Sequence, residues 1–255
     1  MTFVWKDTGN RPYMEDTYSY DIKMPYGFEY YGVFDGHGGS EVSLYLQKYM
    51  RDAINKNIID ALNSNAESID VGSIIHNSFE TIVNDIPYKT SMTTGSTALI
   101  MLKFKDQIWI GNVGDSRAIM NNGLDVIQLS NDHKPNEQTE YNRITSLGGK
   151  VIKAYDGDVY RVNGVLAVSR AIGDFALSPH VTWKPEISTF KLNKHNHYVF
   201  LATDGVWDVL SSQQVLDIIN KKIINEDWKS IGSTVTSTAR SLGSGDNITC
   251  MFVIL

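Results

Sequence analysis

Four aspartates stand where an apolar run gives way to a glycine turn. They are Asp35 in Val33-Phe34-Asp35-Gly36-His37-Gly38-Gly39, Asp115 in Asn112-Val113-Gly114-Asp115-Ser116-Arg117, Asp204 in Thr203-Asp204-Gly205, and Asp246 in Gly245-Asp246-Asn247. One aspartate in such a place is ordinarily a cap or a turn residue. Four of them, if the strand ends converge, would share a small volume and repel one another unless cations neutralise them. An oxygen-only donor set with no Cys or His pair at zinc-finger spacing suits hard ions, so Mg²⁺ or Mn²⁺ is expected rather than zinc. Two such ions about 3.5–4 Å apart can bridge a hydroxide and clamp an in-line displacement at phosphorus. Histidine is the side chain suited to proton transfer near neutral pH, so His37 could protonate a departing oxygen, and Arg11 could give a phosphate two parallel hydrogen bonds. The chain carries no Gly-x-Ser-x-Gly elbow or activated cysteine, which points to hydrolysis without a covalent intermediate. The plainer alternatives are a strand-to-helix turn capped by Asp35 and a surface salt bridge for Arg11.

These residues need strands to deliver them. The opening from Trp5 to Asp16 reads as polar and turn-rich, followed by strands around Thr17 to Met24 and Glu29 to Asp35. Val42, Leu46, Tyr49 and Ala53 recur at helical spacing with Ser40 placed as a cap, and a second amphipathic helix carries Ile75, Phe79, Ile82, Val83 and Ile86 before Pro87. Short β-rich runs follow at Thr97 to Phe104, Gln107 to Val113, Ser116 to Asn121 and Leu124 to Leu129, which read as an antiparallel meander closed by Asn121-Asn122-Gly123. Asn136 to Leu147 reads as a surface helix and Val151 to Val168 as short strands turning at Asn163-Gly164. Ser169 to Ile187 reads as an excursion over the surface. A buried strand at Tyr198 to Thr203, helices at Ser212 to Ile223 and Asp227 to Leu242, and a last strand from Ile248 complete the chain. The fold class is α+β, a sheet or sandwich of antiparallel strands with helices covering its faces.

With 255 residues and no linker or repeat, one domain spanning 1–255 is expected. A formal charge of -6 gives no general attraction for nucleic acid or anionic lipid, so neither is an expected partner. No apolar run is long enough to cross a bilayer and nothing near Met1 resembles a signal peptide, so a cytoplasmic or nuclear protein is the expectation, with a monomer as default. The single cysteine, Cys250, lies in an apolar run and reads as a buried strand residue. His76, His133, His180, His195 and His197 read as structural or solvent-exposed.

Eight blocks resemble the metal-dependent Ser/Thr protein phosphatases of the PPM, or type 2C, family. They are Arg11 to Asp16 (RPYMED), Phe34 to Gly39 (FDGHGG), Thr94 to Ala98 (TGSTA), Asn112 to Arg117 (NVGDSR), Asp132 to Pro135 (DHKP), Arg161 to Asp174 (RVNGVLAVSRAIGD), Asp204 to Asp208 (DGVWD) and Asp246 to Thr249 (DNIT). They occur in the family's order and span nearly the whole chain. The resemblance implies a central β-sandwich of two antiparallel sheets flanked by helices, with a two-metal site at one end. It makes Asp35, Asp204 and Asp246 direct ligands of Mg²⁺ or Mn²⁺ together with the Gly36 carbonyl, and has Glu15 and Asp16 act through metal-bound water. Arg11 would hold the substrate phosphate and His37 would be the general acid. Asp115 and Asp208 match positions that help hold a third, weaker ion, and Thr97 and Asn247 match supporting positions. The stretch between Asn131 and Pro185 corresponds to a surface flap.

The implied activity is a protein phosphatase that hydrolyses phosphoserine and phosphothreonine by direct attack of a metal-bridging hydroxide, with phosphorylated proteins as partners. Two other readings stand beside it: a catalytically silent phosphoprotein-binding pseudophosphatase, and a two-metal hydrolase of small phosphate esters.

Overall fold

A computed structural model describes residues 1–64 and 69–255. In chain order the strands are β1 (Thr2–Asp7), β2 (Thr17–Asp21), β3 (Glu29–Phe34), β4 (Gly36–His37), β5 (Gly95–Ser96), β6 (Ala98–Phe104), β7 (Gln107–Val113), β8 (Arg117–Asn122), β9 (Asp125–Gln128), β10 (Val151–Ile152), β11 (Arg161–Val162), β12 (Ile172–Gly173), β13 (Glu186–Lys191), β14 (Tyr198–Ala202) and β15 (Ile248–Ile254). The helices are α1 (Glu41–Asn63), α2 (Val71–Asp85), α3 (Gln138–Ser146), α4 (Asp204–Trp207), α5 (Ser212–Ile224) and α6 (Ile231–Ser241). Two five-stranded antiparallel sheets, ordered β1-β15-β14-β8-β9 and β13-β7-β6-β3-β2, face each other.

Alternation along each strand explains the layering. In β14, Val199 and Leu201 point between the sheets, where they meet Tyr31, Val33, Leu99 and Met101 of the facing sheet. Tyr198, Phe200 and Ala202 point outward under Val215, Leu216, Ile219, Val235 and Ala239 of α5 and α6. The opposite sheet sends Tyr30, Phe34, Ile100 and Leu102 outward against Leu46, Met50 and Ile54 of α1 and Ile75 and Phe79 of α2. Strands covered on both faces are apolar at nearly every position, which is why β6, β14 and β15 read as near-continuous apolar runs, interrupted only by Lys103 and Thr249. Cys250 is fully buried in the outward-facing row of β15, and burial pushes its thiol pKa up.

Several expectations are corrected. Trp5 to Asp7 belongs to β1, paired with Ile248 to Cys250 of β15, not to a polar opening turn. Ser40 occupies the cap position of α1 but its side chain caps nothing; Ser43 Oγ instead donates to the Ser40 carbonyl. The buried stripe of α1 runs through Met50 while Tyr49 is exposed, because the stripe drifts around a helix of this length. The helix expected from Asp227 begins at Ile231, after a 3₁₀ turn over Trp228–Ser230.

Two further corrections bear on function. The expected meander is split: β6 and β7 pair in one sheet, while β8 and β9 pair in the other. The chain crosses between sheets at Val113 to Ser116, with Gly114 at φ 104°, a conformation that favours glycine. Nor is Ser169 to Ile187 a surface excursion. Ser169, Ala171 and Ile172 are buried, and β12 joins β5 and β4 in a three-stranded sheet. The Asn163-Gly164 turn forms as expected, both residues having positive φ.

Candidate active site

Strand ends from both sheets open into one cavity of about 650 Å³. Asp35 follows β3, and Gly36 and His37 form β4. Asp204 opens α4 directly after β14, Asp208 closes it, and Asp246 lies just before β15. Asp115 lies in the crossing between the sheets. All six of these acidic and glycine positions, with His37, Arg11 and Glu15, line the cavity. Asp16 stands behind that wall, buried, with Oδ2 accepting a hydrogen bond from Thr203 Oγ1 at 2.9 Å.

The supporting residues tie the segments together. Asn247 Oδ1 accepts from the Glu15 amide at 2.7 Å, and its Nδ2 donates to the carbonyls of Thr8 and Tyr13. The N-terminal stretch carrying Arg11, Glu15 and Asp16 is thereby pinned beside Asp246. Thr97 Oγ1 accepts from the Asp35 amide at 3.1 Å and the Thr97 amide donates to the Asp35 carbonyl at 2.9 Å. Both residues fix backbone and leave the carboxylates pointing into the cavity.

The electrostatics are those of a site short of positive charge. Burial, and then the neighbouring charges of Asp16, Asp204, Asp115 and Asp246, raise Asp35 well above the usual carboxylate range. Asp204 is raised in the same way, first by burial and then by Asp115, Asp208 and Asp246. Burial pushes Asp16 up to about 6. Oδ1 of Asp204 and Oδ1 of Asp16 are buried without a hydrogen-bond partner. Unpartnered buried carboxylate oxygens are costly, so these residues fit hard cations with oxygen ligands. Among the described residues no three His, Cys, Asp or Glu side chains form a finished cage. The donors instead ring the cavity, an arrangement suited to ions that keep part of their water.

Protein cations meet only the rim. Arg11 Nη2 lies 2.7 Å from Asp246 Oδ2, and that hydrogen bond and charge raise the guanidinium pKa. Lys134 Nζ lies 2.7 Å from Asp208 Oδ1 and 3.6 Å from Asp115 Oδ2. Burial works against its charge, but Asp115 and then Asp208 outweigh burial and hold the ammonium above its ordinary pKa. Asp115 still rises to about 6, because its own burial outweighs the lysine. The flap supplies the far wall through Lys153, Val159, Tyr160 and Val168, with Lys153 stacked over Tyr160 at 4.6 Å.

Sequence reasoning assigned no role to Lys134 or Asp174, although both fall inside quoted blocks. Asp174 Oδ2 lies 2.6 Å from His37 Nε2 across 137 residues of chain. The Gly173-Asp174 ending, where a charged residue follows an apolar residue and a glycine, marks Asp174 as a strand-end carboxylate but does not show its partner, and Asp132-His133-Lys134-Pro135 follows no apolar run. His133, read as structural, is buried, and its Nδ1 accepts from the Gly114 amide at the sheet crossing.

Residues 11–248 match the family model described as Protein phosphatase 2C. The chain is similar to a rice (Oryza sativa subsp. japonica) protein described as Probable protein phosphatase 2C 52, with 35% identity over 249 residues covering 96% of this chain and 48% of that protein. It is also similar to Protein phosphatase 2C 77 of Arabidopsis thaliana, with 34% identity covering 85% of this chain and 56% of the relative. The chain thus spans about half the length of these curated relatives. A crystal structure of serine-threonine phosphatase 2C from Toxoplasma gondii shares the fold at a TM-score of 0.84 and 22% identity, covering 99% of this chain and 94% of that one. With its sandwich, its ring of carboxylates and a match over nearly its whole length, the chain belongs to the protein phosphatase 2C family.

Proposed function

We propose that residues 1–255 form one catalytic domain that hydrolyses phosphoserine and phosphothreonine in proteins, without a covalent intermediate. The observation that carries this reading is the convergence of Asp35 and Asp204, short of counter-charge and backed by the buried Asp16, on a cavity that also presents Arg11 and His37.

The family depends on Mg²⁺ or Mn²⁺. In this chain Asp35, Asp204, Asp246 and the Gly36 carbonyl would hold two such ions directly, with Glu15 and Asp16 acting through water. Asp115 and Asp208 would hold a third only in competition with Lys134, which fits a weaker site. Bound divalent ions supply a water of lowered pKa and positive charge beside the phosphate.

The protein's own contribution follows from its geometry. Arg11, exposed and joined to Asp246 by one hydrogen bond, is free to swing its remaining donors onto a substrate phosphate and so fix its orientation. Glu15, in the cavity wall, would accept a hydrogen bond from water there and orient it toward phosphorus, with the buried Asp16 standing behind that wall. His37 stands at the cavity wall to protonate the serine or threonine oxygen as it leaves. The flap wall offers Tyr160 and the ammonium of Lys153 stacked on it to the polypeptide around the phosphoresidue.

The test is phosphate release from a phosphothreonine peptide with Mn²⁺, with the metal chelated, and with Asp204→Asn. Release that requires Mn²⁺ and falls by more than about 10²-fold in the variant is expected. Turnover that survives chelation, or no turnover by Mn²⁺-loaded protein, would overturn the reading.

A further inference from the structure

The small sheet β12-β5-β4 performs a task that neither large sheet requires. In its register His37 of β4 sits opposite Gly95 of β5, and Gly95 sits opposite Gly173 of β12. Asp174 follows Gly173 immediately, so the middle strand separates His37 from Asp174 by the width of a glycine. A Cβ at Gly95 would fall on Asp174 Oδ2 and 2.5 Å from His37 Nε2. The glycine leaves open the space in which the two side chains meet, and Nε2 and Oδ2 stand 2.6 Å apart there.

Asp174 has a backbone that would be avoided without a reason. Its φ is 50°, in the left-handed region, and it is held there by its amide donating to the Thr94 carbonyl at 3.2 Å. The residue is 4% exposed. Its carboxylate makes one side-chain hydrogen bond, to His37. A nearly buried carboxylate needs partners, and the partner here is the histidine that faces the cavity.

We propose that Asp174 is a positioning residue for His37. This rests on the phosphatase reading above. The carboxylate can only accept, so Nε2 carries the hydrogen and Nδ1 is the nitrogen turned to the departing oxygen. Among the described residues no protein group engages Nδ1. In the reaction the bond from phosphorus to the serine or threonine oxygen breaks as Nδ1 gives that oxygen its proton. The entering water forms the new bond to phosphorus and loses a proton to solvent. A proton from solvent then returns to Nδ1; Asp174 keeps the Nε2–H in place both in the imidazolium that donates and in the neutral ring left after donation.

The experiment compares Asp174→Ala, Asp174→Asn, His37→Ala and the Asp174→Ala/His37→Ala double variant on a phosphothreonine peptide and on p-nitrophenyl phosphate, with Mn²⁺. An aryl oxide leaves as a stable anion and has little need of the proton, so a positioning defect changes the ratio of the two kcat values. The ratio of peptide to aryl kcat is expected to fall about 10- to 100-fold in Asp174→Ala, with KM for the peptide within about twofold. The fall should be smaller in Asp174→Asn, whose amide oxygen can still accept from Nε2. The double variant should be no worse than His37→Ala, because residues that act as a unit are not additive. Equal losses on both substrates, or additive losses in the double variant, would overturn the proposal. A second readout does not depend on turnover. Long-range ¹H–¹⁵N spectra of the Mg²⁺-loaded protein, taken at a pH where the ring is neutral, should show His37 as the Nε2–H tautomer, and the two tautomers mixed in Asp174→Asn. A mixed population in the unaltered protein would sink the positioning role even if phosphatase activity is demonstrated. A fixed tautomer in a protein without turnover would instead count against the phosphatase reading alone.

Discussion

Two buried carboxylate sites in this molecule follow opposite electrostatic designs. Glu140, in α3 at the base of the flap, is 2% exposed, as buried as Asp16 behind the cavity wall, whereas Asp35 and Asp204 are half-buried in that wall. Its Oε1 accepts from Arg170 Nη2 at 2.6 Å, and its Oε2 accepts from Arg143 Nη2 and Ser169 Oγ, both at 2.8 Å. Burial alone would raise its pKa, yet hydrogen bonds from Arg170 and Arg143 bring it down to about 2. Asp204 has no such donors and one unpartnered oxygen, and its pKa is driven the other way. The protein therefore has the means to satisfy a buried carboxylate and does so where only structure is at stake. Around the cavity it withholds them, which leaves room for cations from solution.

The largest expected effect follows from removing one carboxylate of each kind. Glu140→Ala leaves the half-buried guanidinium groups of Arg143 and Arg170 with backbone carbonyls but without their carboxylate, and should cost about 3–5 kcal/mol of folding stability. Asp204→Asn removes a repelled charge and should stabilise the metal-free protein at pH 7, while abolishing Mn²⁺-dependent turnover. Urea unfolding in chelator reads both. A shift of the same sign in the two variants would erase the distinction between the sites.

Loading the cavity should have a comparable effect of opposite sense. At 100 times Kd, Mg²⁺ or Mn²⁺ should stabilise by about 2.7 kcal/mol, raising Tm by roughly 5–10 °C for a chain of this size. Asp204→Asn should lose most of that rise and a conservative change at the satisfied site, such as Glu140→Gln, should keep it. Equal metal responses in the two variants would place the ions elsewhere.

The sites also part company in their response to pH. Asp16, Asp35 and Asp204 have folded pKa values above their unfolded ones, so the folded metal-free protein binds more protons than the unfolded chain. Its stability should fall as pH rises from about 4 through 6 and beyond, and Asp16 alone, at about 6, accounts for roughly 3 kcal/mol. Glu140 has the reverse sign: its contribution is complete above its unfolded pKa and is lost as pH falls toward about 2. Metal-free protein should therefore be most stable in mildly acidic solution, and excess Mg²⁺ should flatten the decline between pH 5 and 7. A metal-free stability that climbs through that interval would contradict the raised carboxylates.

How much of this contrast the sequence displays depends on the range of the interaction. The cavity carboxylates are legible because each follows an apolar run, and a strand end is a local pattern; Asp35 and Asp204 sit where that pattern puts them. The helices α2 and α5 are equally local and fall within a few residues of their expected spans. Glu140 carries no such signal, since its partner Arg170 is brought in from 30 residues away by the fold. The crossing at Gly114 is hidden because pairing partners are non-local: β7 and β8 look alike in period but join different sheets. The two-residue strands β4, β5 and β12 are too short to show any period, so the meeting of His37 and Asp174 was out of reach.

Lys134 lies between the two designs, and the smallest effect is expected there. Its ammonium partly neutralises Asp115 and Asp208 at the cavity rim, while its side chain keeps 34% of its exposure, so solvent screens the pair. Lys134→Met should destabilise the metal-free protein by only about 1 kcal/mol. With the ammonium gone, Asp115 and Asp208 resemble Asp204 in lacking a protein cation, and a divalent ion should bind there more tightly than in the unaltered protein. Isothermal titration with Mg²⁺ should then show an added or strengthened binding step, and excess Mg²⁺ should restore the lost stability. If titration curves of the two proteins superimpose, Asp115 and Asp208 are satisfied without the lysine, and the rim belongs with Glu140 rather than with the cavity floor.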